Sequence, residues 1–324
     1  MQEIKITDFE NIYIGQVENE AAATGLTAII CPTDMAAGLD VRGGGPASRE
    51  SELMNPLANA AVIQAVVLSG GSAFGLDAAG GVMQYLEEHD IGYNVGVTRV
   101  PLVCQADLFD LNIGDTFTRP DKAMGYEAAR RALEAPNYRD GNYGAGCGAS
   151  VGKLGGIATA MKTGIGSYAV QLGSLKVGAI VAVNALGDIY DWKDGRKVAG
   201  LMTPDRKQFR RSEDLLYASM ERPAARFTGN TTIGAIITNA GFQKAQLCKI
   251  AGMAHDGYAR SIRPVHTSAD GDSIYALSVG QVSASPDLVG TLAAEVMSEA
   301  ILRAVYSAES AHGLLSARDF EAQR

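Results

Sequence analysis

Apolar residues recur along this chain at two spacings, and each spacing predicts a different element. From Phe74 to Glu88 they fall at Leu76, Ala79, Val82, Met83 and Leu86, one face of a helix. Asp121 to Leu133 repeats the pattern behind an acidic residue suited to begin a helix, and Lys244 to Arg260 and Asp287 to Tyr306 repeat it again. In the last of these Leu288, Leu292, Ala293, Val296 and Ile301 share one side. Between the helices lie short continuous apolar runs rich in β-branched residues: Ala61 to Leu68, Val177 to Val183, Thr231 to Ile237 and Ser273 to Val279. Such runs read as strands buried on both faces. Strands covered by long helices predict a layered α/β or α+β core, with strand order left open. No linker, charge block or fixed-period repeat interrupts the pattern, so residues 1–324 read as a single domain.

Composition narrows the class of partner. The formal charge of -8 and a pI near 5.1 would repel a phosphate backbone, and no basic cluster reverses this locally, so nucleic acid is not an expected partner. No window holds the eighteen or so apolar residues of a membrane span, and the opening hexapeptide lacks a basic leader; a soluble, cytoplasmic protein is expected. The 38 glycines exceed the usual share of roughly 7% and predict many tight turns. Cys31, Cys104, Cys147 and Cys248 are far apart in sequence, which argues against a zinc ribbon or redox dithiol and for reduced, buried thiols.

Two motifs come close to known chemistry and miss. The stretch from Gly144 to Leu154 approaches a phosphate loop, but Cys147 stands where its first glycine belongs, and Leu154 offers no hydroxyl after Lys153. It reads instead as a turn lining some other pocket. Gly70-Gly71-Ser72-Ala73-Phe74 approaches a nucleophile elbow between a strand and a helix, yet ends in Phe74. A triad could draw on His255, His266 or His312; the plainer reading makes Ser72 a helix cap. His255-Asp256 and His266 to Asp272 supply metal-ligand types without a recognisable spacing, so no metal site is expected.

By pattern alone, Gly229-Asn230-Thr231-Thr232-Ile233 is the polar head of a buried strand. Together with Leu68-Ser-Gly-Gly-Ser-Ala-Phe-Gly-Leu-Asp77, Gly144-Ala-Gly146 through Gly152-Lys153, Val181-Ala-Val-Asn184 and Arg263-Pro-Val-His-Thr267 leading into Asp270-Gly-Asp272, it resembles a known family. That family is the self-processing aminopeptidases and amidases, which includes the β-peptidyl aminopeptidases, the D-aminopeptidases and the nylon-oligomer (6-aminohexanoate) hydrolases. The resemblance runs over nearly the whole chain, with the motifs in order.

The resemblance implies an α+β fold, a four-layer αββα sandwich of the N-terminal-nucleophile-like aminopeptidase and ornithine acetyltransferase type. It also implies self-cleavage between Asn230 and Thr231, giving residues 1–230 and 231–324 and a likeness to cleaved protomers assembled as a homotetramer. Thr231 would attack the Asn230 carbonyl, and the freed α-amine, with a pKa of about 7.7 to 8.0 in model compounds, would then serve the hydroxyl as base. By the same resemblance Lys153 sits beside the nucleophile, Asp270 and Asp272 hold the amine and orient protons, and Asn184 donates to the oxyanion. Gly144, Gly146 and Phe109 line the substrate side; no metal or organic cofactor is implied. The chain departs from the pattern at Phe109, where many relatives carry a tyrosine. It departs again at Asp270 and Asp272, where the β-peptidyl branch has a serine and a glutamate. Hydrolysis of peptides or small amides is the expected activity; an acyltransferase of the ornithine acetyltransferase type and a non-catalytic nucleotide- or small-molecule-binding protein are the alternatives.

Overall fold

A computed structural model of the chain describes residues 1–220 and 229–323. Ten strands make up its two main sheets: β1 (Gln2–Ile4), β2 (Tyr13–Asn19), β3 (Thr24–Val41), β4 (Ala47–Arg49), β5 (Ile63–Ser69), β6 (Val103–Asp107), β7 (Ile165–Leu172), β8 (Leu175–Val183), β9 (Thr232–Ala240) and β10 (Ser273–Val282). Four long helices cover them: α1 (Ala78–Glu88), α2 (Lys122–Glu134), α3 (Lys244–Ser261) and α4 (Pro286–Tyr306). One sheet runs β1-β7-β8-β9-β10-β3; in the other, β2 and β5 flank the first half of β3, and β6 and β4 follow.

Strand β3 belongs to both sheets. Leu26 to Ile30 pair with β5, whereas Ala36 to Val41 pair with β10, and the register shifts between Ile30 and Met35. At that bend Asp34 adopts a positive φ of 70° and accepts a hydrogen bond from the Gln64 side chain (2.6 Å). Folding one strand over itself stacks the two sheets. Ile14, Ile29, Ile63 and Leu68 of one sheet share a core with Ile180, Ile233, Ile237 and Leu277 of the other.

The alternate residues of the same strands face outward onto helices. Val177, Val181 and Ile236 pack with Leu247, Ile250, Val296 and Ile301 of α3 and α4. On the far side Leu26, Ile30 and Val67 pack with Val82, Leu86 and Ala128 of α1 and α2. The result is the four-layer αββα sandwich, in which the period-2 alternation of each buried strand feeds two separate cores.

Helix ends follow local chemistry. Asp121 caps α2 by accepting from the Met124 amide (2.9 Å), and Ser285 caps α4 ahead of Pro286. Ser72 does not cap as expected: a 3-10 turn, Ser72–Asp77, precedes α1, and its cap position is Gly71, without a side-chain hydrogen bond. Where α1 crosses α2, a Cβ on Gly81 would run into the Lys122 carbonyl and one on Gly125 into the Ala78 carbonyl, so glycine sets the spacing of the two helices.

Candidate active site

Three strand ends converge at one point of the inner layers. Strands β9 and β10 are parallel, with Ile233 beside Ser273, so the residues preceding each strand, Thr231 and Asp270 to Asp272, lie next to one another. Strand β8 is antiparallel to β9, with Val183 beside Thr232, and therefore delivers Asn184 to the level of Thr231. Sequence neighbours of ordinary strands thus become a cluster of polar groups, all but removed from solvent: Lys153 and Asn184 are 0% exposed and Thr231 is 5% exposed.

Thr231 is the strained residue of the cluster. Its φ is +116°, a region that β-branched side chains avoid at a cost of order 1–3 kcal/mol. Its Oγ accepts a hydrogen bond from the Gly271 amide at 2.8 Å. The carbonyl oxygen of Asn230, on the bond in question, accepts from the Phe109 backbone N–H at 3.3 Å. The Phe109 ring packs on Gly229, where a Cβ would fall 2.6 Å from it.

Lys153 reaches this point because Gly152 (φ 73°) turns the loop inward and the Lys153 amide is held on the Leu186 carbonyl (3.0 Å). Its Nζ donates to Asn184 Oδ1 (2.6 Å), Asn184 O (3.1 Å) and Gly229 O (3.0 Å), three acceptors for three ammonium hydrogens. Burial pushes its pKa down to about 7, against the pull of Asp270 and Asp110. Asn184 in turn accepts from the Ser150 amide (3.1 Å) and donates through Nδ2 to the Phe109 carbonyl (2.8 Å).

The two aspartates have separate anchors. Asp272 accepts from the Thr232 amide with Oδ1 (2.8 Å) and from the His266 ring with Oδ2 (2.8 Å). Asp270 accepts from Thr267 N and Oγ (2.7 and 2.6 Å). Burial, then the Asp272 charge, raises the Asp270 carboxyl to about 6. Asp110, which the sequence reading did not single out, is also buried, and desolvation raises it to about 6; it holds the Gly71 amide (2.8 Å) and the Thr24 hydroxyl (2.8 Å) and acts on Lys153 through space.

Lys153, Asn184, Phe109, Asn230, Thr231, Asp270 and Asp272 are therefore brought together. Gly144 and Gly146 face elsewhere: a Cβ on Gly144 would meet Thr27 and one on Gly146 would meet Ile165. The Gly144 amide donates to the Glu18 carboxylate (2.9 Å), an anion where a phosphate loop would receive one. The glycine turn at 70–71 serves Asp110, and among the described residues no histidine hydrogen-bonds to Ser72, so the elbow reading is not supported. Among the described residues no cluster of three or more His, Cys, Asp or Glu side chains could hold a metal ion, and no helix is long and apolar enough to cross a membrane. The backbone N–H of Phe109 had no signal in the sequence, because a side chain does not report what its amide donates to.

Among solved structures, the L-aminopeptidase D-Ala-esterase/amidase of Ochrobactrum anthropi, described as a variant of the Ntn hydrolase fold, superposes with a TM-score of 0.68 over 98% of this chain and 92% of its own, at 18% identity. A Burkholderia sp. β-aminopeptidase gives 0.66 over the same shares, also at 18% identity. Fold and layering are thus shared with these aminopeptidases of the Ntn hydrolase fold. In sequence, an uncharacterized aminopeptidase of Mycobacterium leprae (strain TN) is 35% identical, covering 95% of this chain and 92% of its own. The 6-aminohexanoate-oligomer endohydrolase of Agromyces sp. (strain KY5R) is 31% identical over 92% and 84%. The profile of Peptidase family S58 matches residues 5–318, and the chain belongs to that family, which makes it an amide-hydrolysing enzyme of the peptidase/amidase class.

Proposed function

We propose that the chain is a self-processing amide hydrolase that cuts its own Asn230–Thr231 bond and then uses Thr231 as an N-terminal nucleophile on peptides or small amides. The observation that carries this reading is the strained, buried Thr231, whose neighbouring carbonyl already accepts from the Phe109 N–H. Thr231 Oγ attacks the Asn230 carbonyl carbon, and Lys153, neutral in part because burial lowers its pKa to about 7, gives up one of its three donated hydrogen bonds and takes the hydroxyl proton on the freed lone pair. Negative charge builds on the Asn230 oxygen, which the Phe109 N–H meets. Such a donor contributes about 3 kcal/mol in the transition state. The C–N bond then breaks, the Thr231 nitrogen takes the proton, and water opens the resulting ester.

In turnover the freed α-amine replaces the peptide nitrogen beside Asp270 and Asp272, accepts the hydroxyl proton and passes it to the leaving amine. Water then hydrolyses the acyl-enzyme. The names of the similar proteins favour two substrate types, N-terminal residues of peptides and 6-aminohexanoate oligoamides. Intact mass under denaturing conditions tests the reading without a substrate. Wild type should give residues 1–230 and 231–324 as two species, and Thr231→Ala one full-length chain; an uncut wild type after prolonged incubation would remove the mechanism.

A further inference from the structure

Beyond the residues that surround Thr231, the polar cluster continues into helix α3 through His266. This residue sits in the left-handed region (φ 57°), and both its backbone N–H (3.2 Å) and its ring Nδ1 (2.8 Å) point at Asp272 Oδ2. The other oxygen of the same carboxylate receives the amide of Thr232, the residue immediately after Thr231 (2.8 Å). One imidazole therefore connects, through one carboxylate, to the backbone that sets the position of the Thr231 hydroxyl.

The ring is itself held. His255 meets it edge to face at 4.8 Å between centroids, and Tyr258 lies 6.0 Å away; both come from α3 and are buried. His255 is tethered through Nε2 to the Asp40 carbonyl of β3 (3.0 Å), and Asp40 is paired with Arg42. Burial lowers His255 to about 4, so it stays neutral and packs against the His266 ring as an uncharged neighbour.

We propose that His266 is a positioning residue: its Nδ1–H fixes the plane of the Asp272 carboxylate so that Oδ1 holds the Thr232 amide and, through it, the Thr231 backbone in attacking geometry. This inference rests on Thr231 being the nucleophile. Without the ring, Oδ2 would keep only the longer bond from the backbone N–H of residue 266 (3.2 Å), a weaker brake on rotation of the carboxylate about its last bond, and the grip of Oδ1 on the Thr232 amide beside the strained Thr231 would loosen.

The test uses the left-handed backbone to separate the ring from the turn. Asparagine and glycine both accept φ near +57°, but only asparagine can place an N–H near the position of Nδ1. Wild type, His266→Asn, His266→Gly and Thr231→Ala are made by cell-free translation, and self-cleavage is followed by pulse-chase and denaturing mass spectrometry. His266→Asn is expected to cleave within about 5-fold of wild type and His266→Gly roughly 10- to 100-fold more slowly, the equivalent of one lost hydrogen bond to a charged group. His266→Asp, which tolerates the same turn but sets a like charge against Asp272, should be at least as slow as glycine. Melting of each variant in the uncut Thr231→Ala background should stay within a few degrees of that parent. Glycine cleaving as fast as wild type, or asparagine as slow as glycine, overturns the role of His266 while Thr231 stands. Cleavage of Thr231→Ala would instead overturn the nucleophile on which the role depends.

Discussion

Asp270→Asn should make the uncut protein more stable at pH 8 and leave it no more stable at pH 4. The Asp270 carboxyl is raised in the folded protein from 3.8 to about 6, because ionising it means placing a charge in a buried site beside Asp272. The folded state therefore binds this proton more tightly than the unfolded state, and stability falls as pH rises from 3.8 through 6. At about 1.4 kcal/mol per tenfold, the penalty reaches about 3 kcal/mol well above pH 6. Asparagine abolishes the penalty, in which the help of the two Thr267 hydrogen bonds to the charge is already counted, and its carbonyl oxygen keeps a neutral acceptor for them. The net gain is about 2 to 3 kcal/mol at pH 8, which at this chain length raises the melting temperature by roughly 3 to 4 °C. At pH 4 the carboxyl is protonated when folded and about half protonated when unfolded, so nearly all the gain disappears. Both proteins should carry Thr231→Ala so that neither is cut, and calorimetry at the two pH values measures the difference. An equal difference at both pH values, or a less stable asparagine variant at pH 8, would refute the placement of that charge.

Other consequences are open to the same kind of check. Asn184→Ala removes the acceptor nearest Lys153 and the side-chain donor to Phe109; self-cleavage should slow by about 10²-fold, read as first-order loss of full-length chain. Gly271→Ala would set a Cβ 2.8 Å from Thr231 Oγ and 3.0 Å from the Gly45 carbonyl, and intact mass should show the chain largely uncut, at a stability cost of about 1–3 kcal/mol. With Lys153 as the base, whose pKa burial lowers to about 7, the neutral fraction grows with pH. The self-cleavage rate should rise across that value and level off by about pH 8, and quenched time courses would show it.

The sequence displayed the helices well, because amphipathic periodicity over eleven or more residues survives burial: the spans read for α2, α3 and α4 begin and end within a residue or two of those observed. The first helix begins later than its periodicity suggested, since Ser72–Asp77 winds as a 3-10 turn. Strand β3 was not legible, because its two halves face different neighbours and bend between Ile30 and Met35, so no single period runs through its 18 residues. At the site, resemblance placed Lys153, Asn184, Thr231, Asp270 and Asp272 together, and the convergence of three strand ends gives the physical cause. Gly144 and Gly146 looked like pocket residues because glycine-rich loops often cradle ligands. Here they let backbone lie against Thr27 and Ile165, with Lys162 donating to the Gly146 carbonyl (3.1 Å). The pairing of His266 with Asp272 was out of reach, since it depends on how a six-residue loop closes.

The position of β9 in its sheet has a further consequence for a cut at Asn230–Thr231. One edge of β9 is bonded to β8, which precedes the cut, and its neighbour β10 is bonded to β3, which also precedes it. The two products would be interleaved, with β9 and β10 gripped on both sides by strands of the other piece, so they could not part without opening the sheet twice. Cleavage would leave the native protein intact while changing the molecularity of its assembly. The uncut chain refolds as one molecule, at a rate independent of concentration. The cut protein, once unfolded, must find its other half, so its recovery would depend on dilution, and unfolding would become, in practice, a one-way event at low protein concentration.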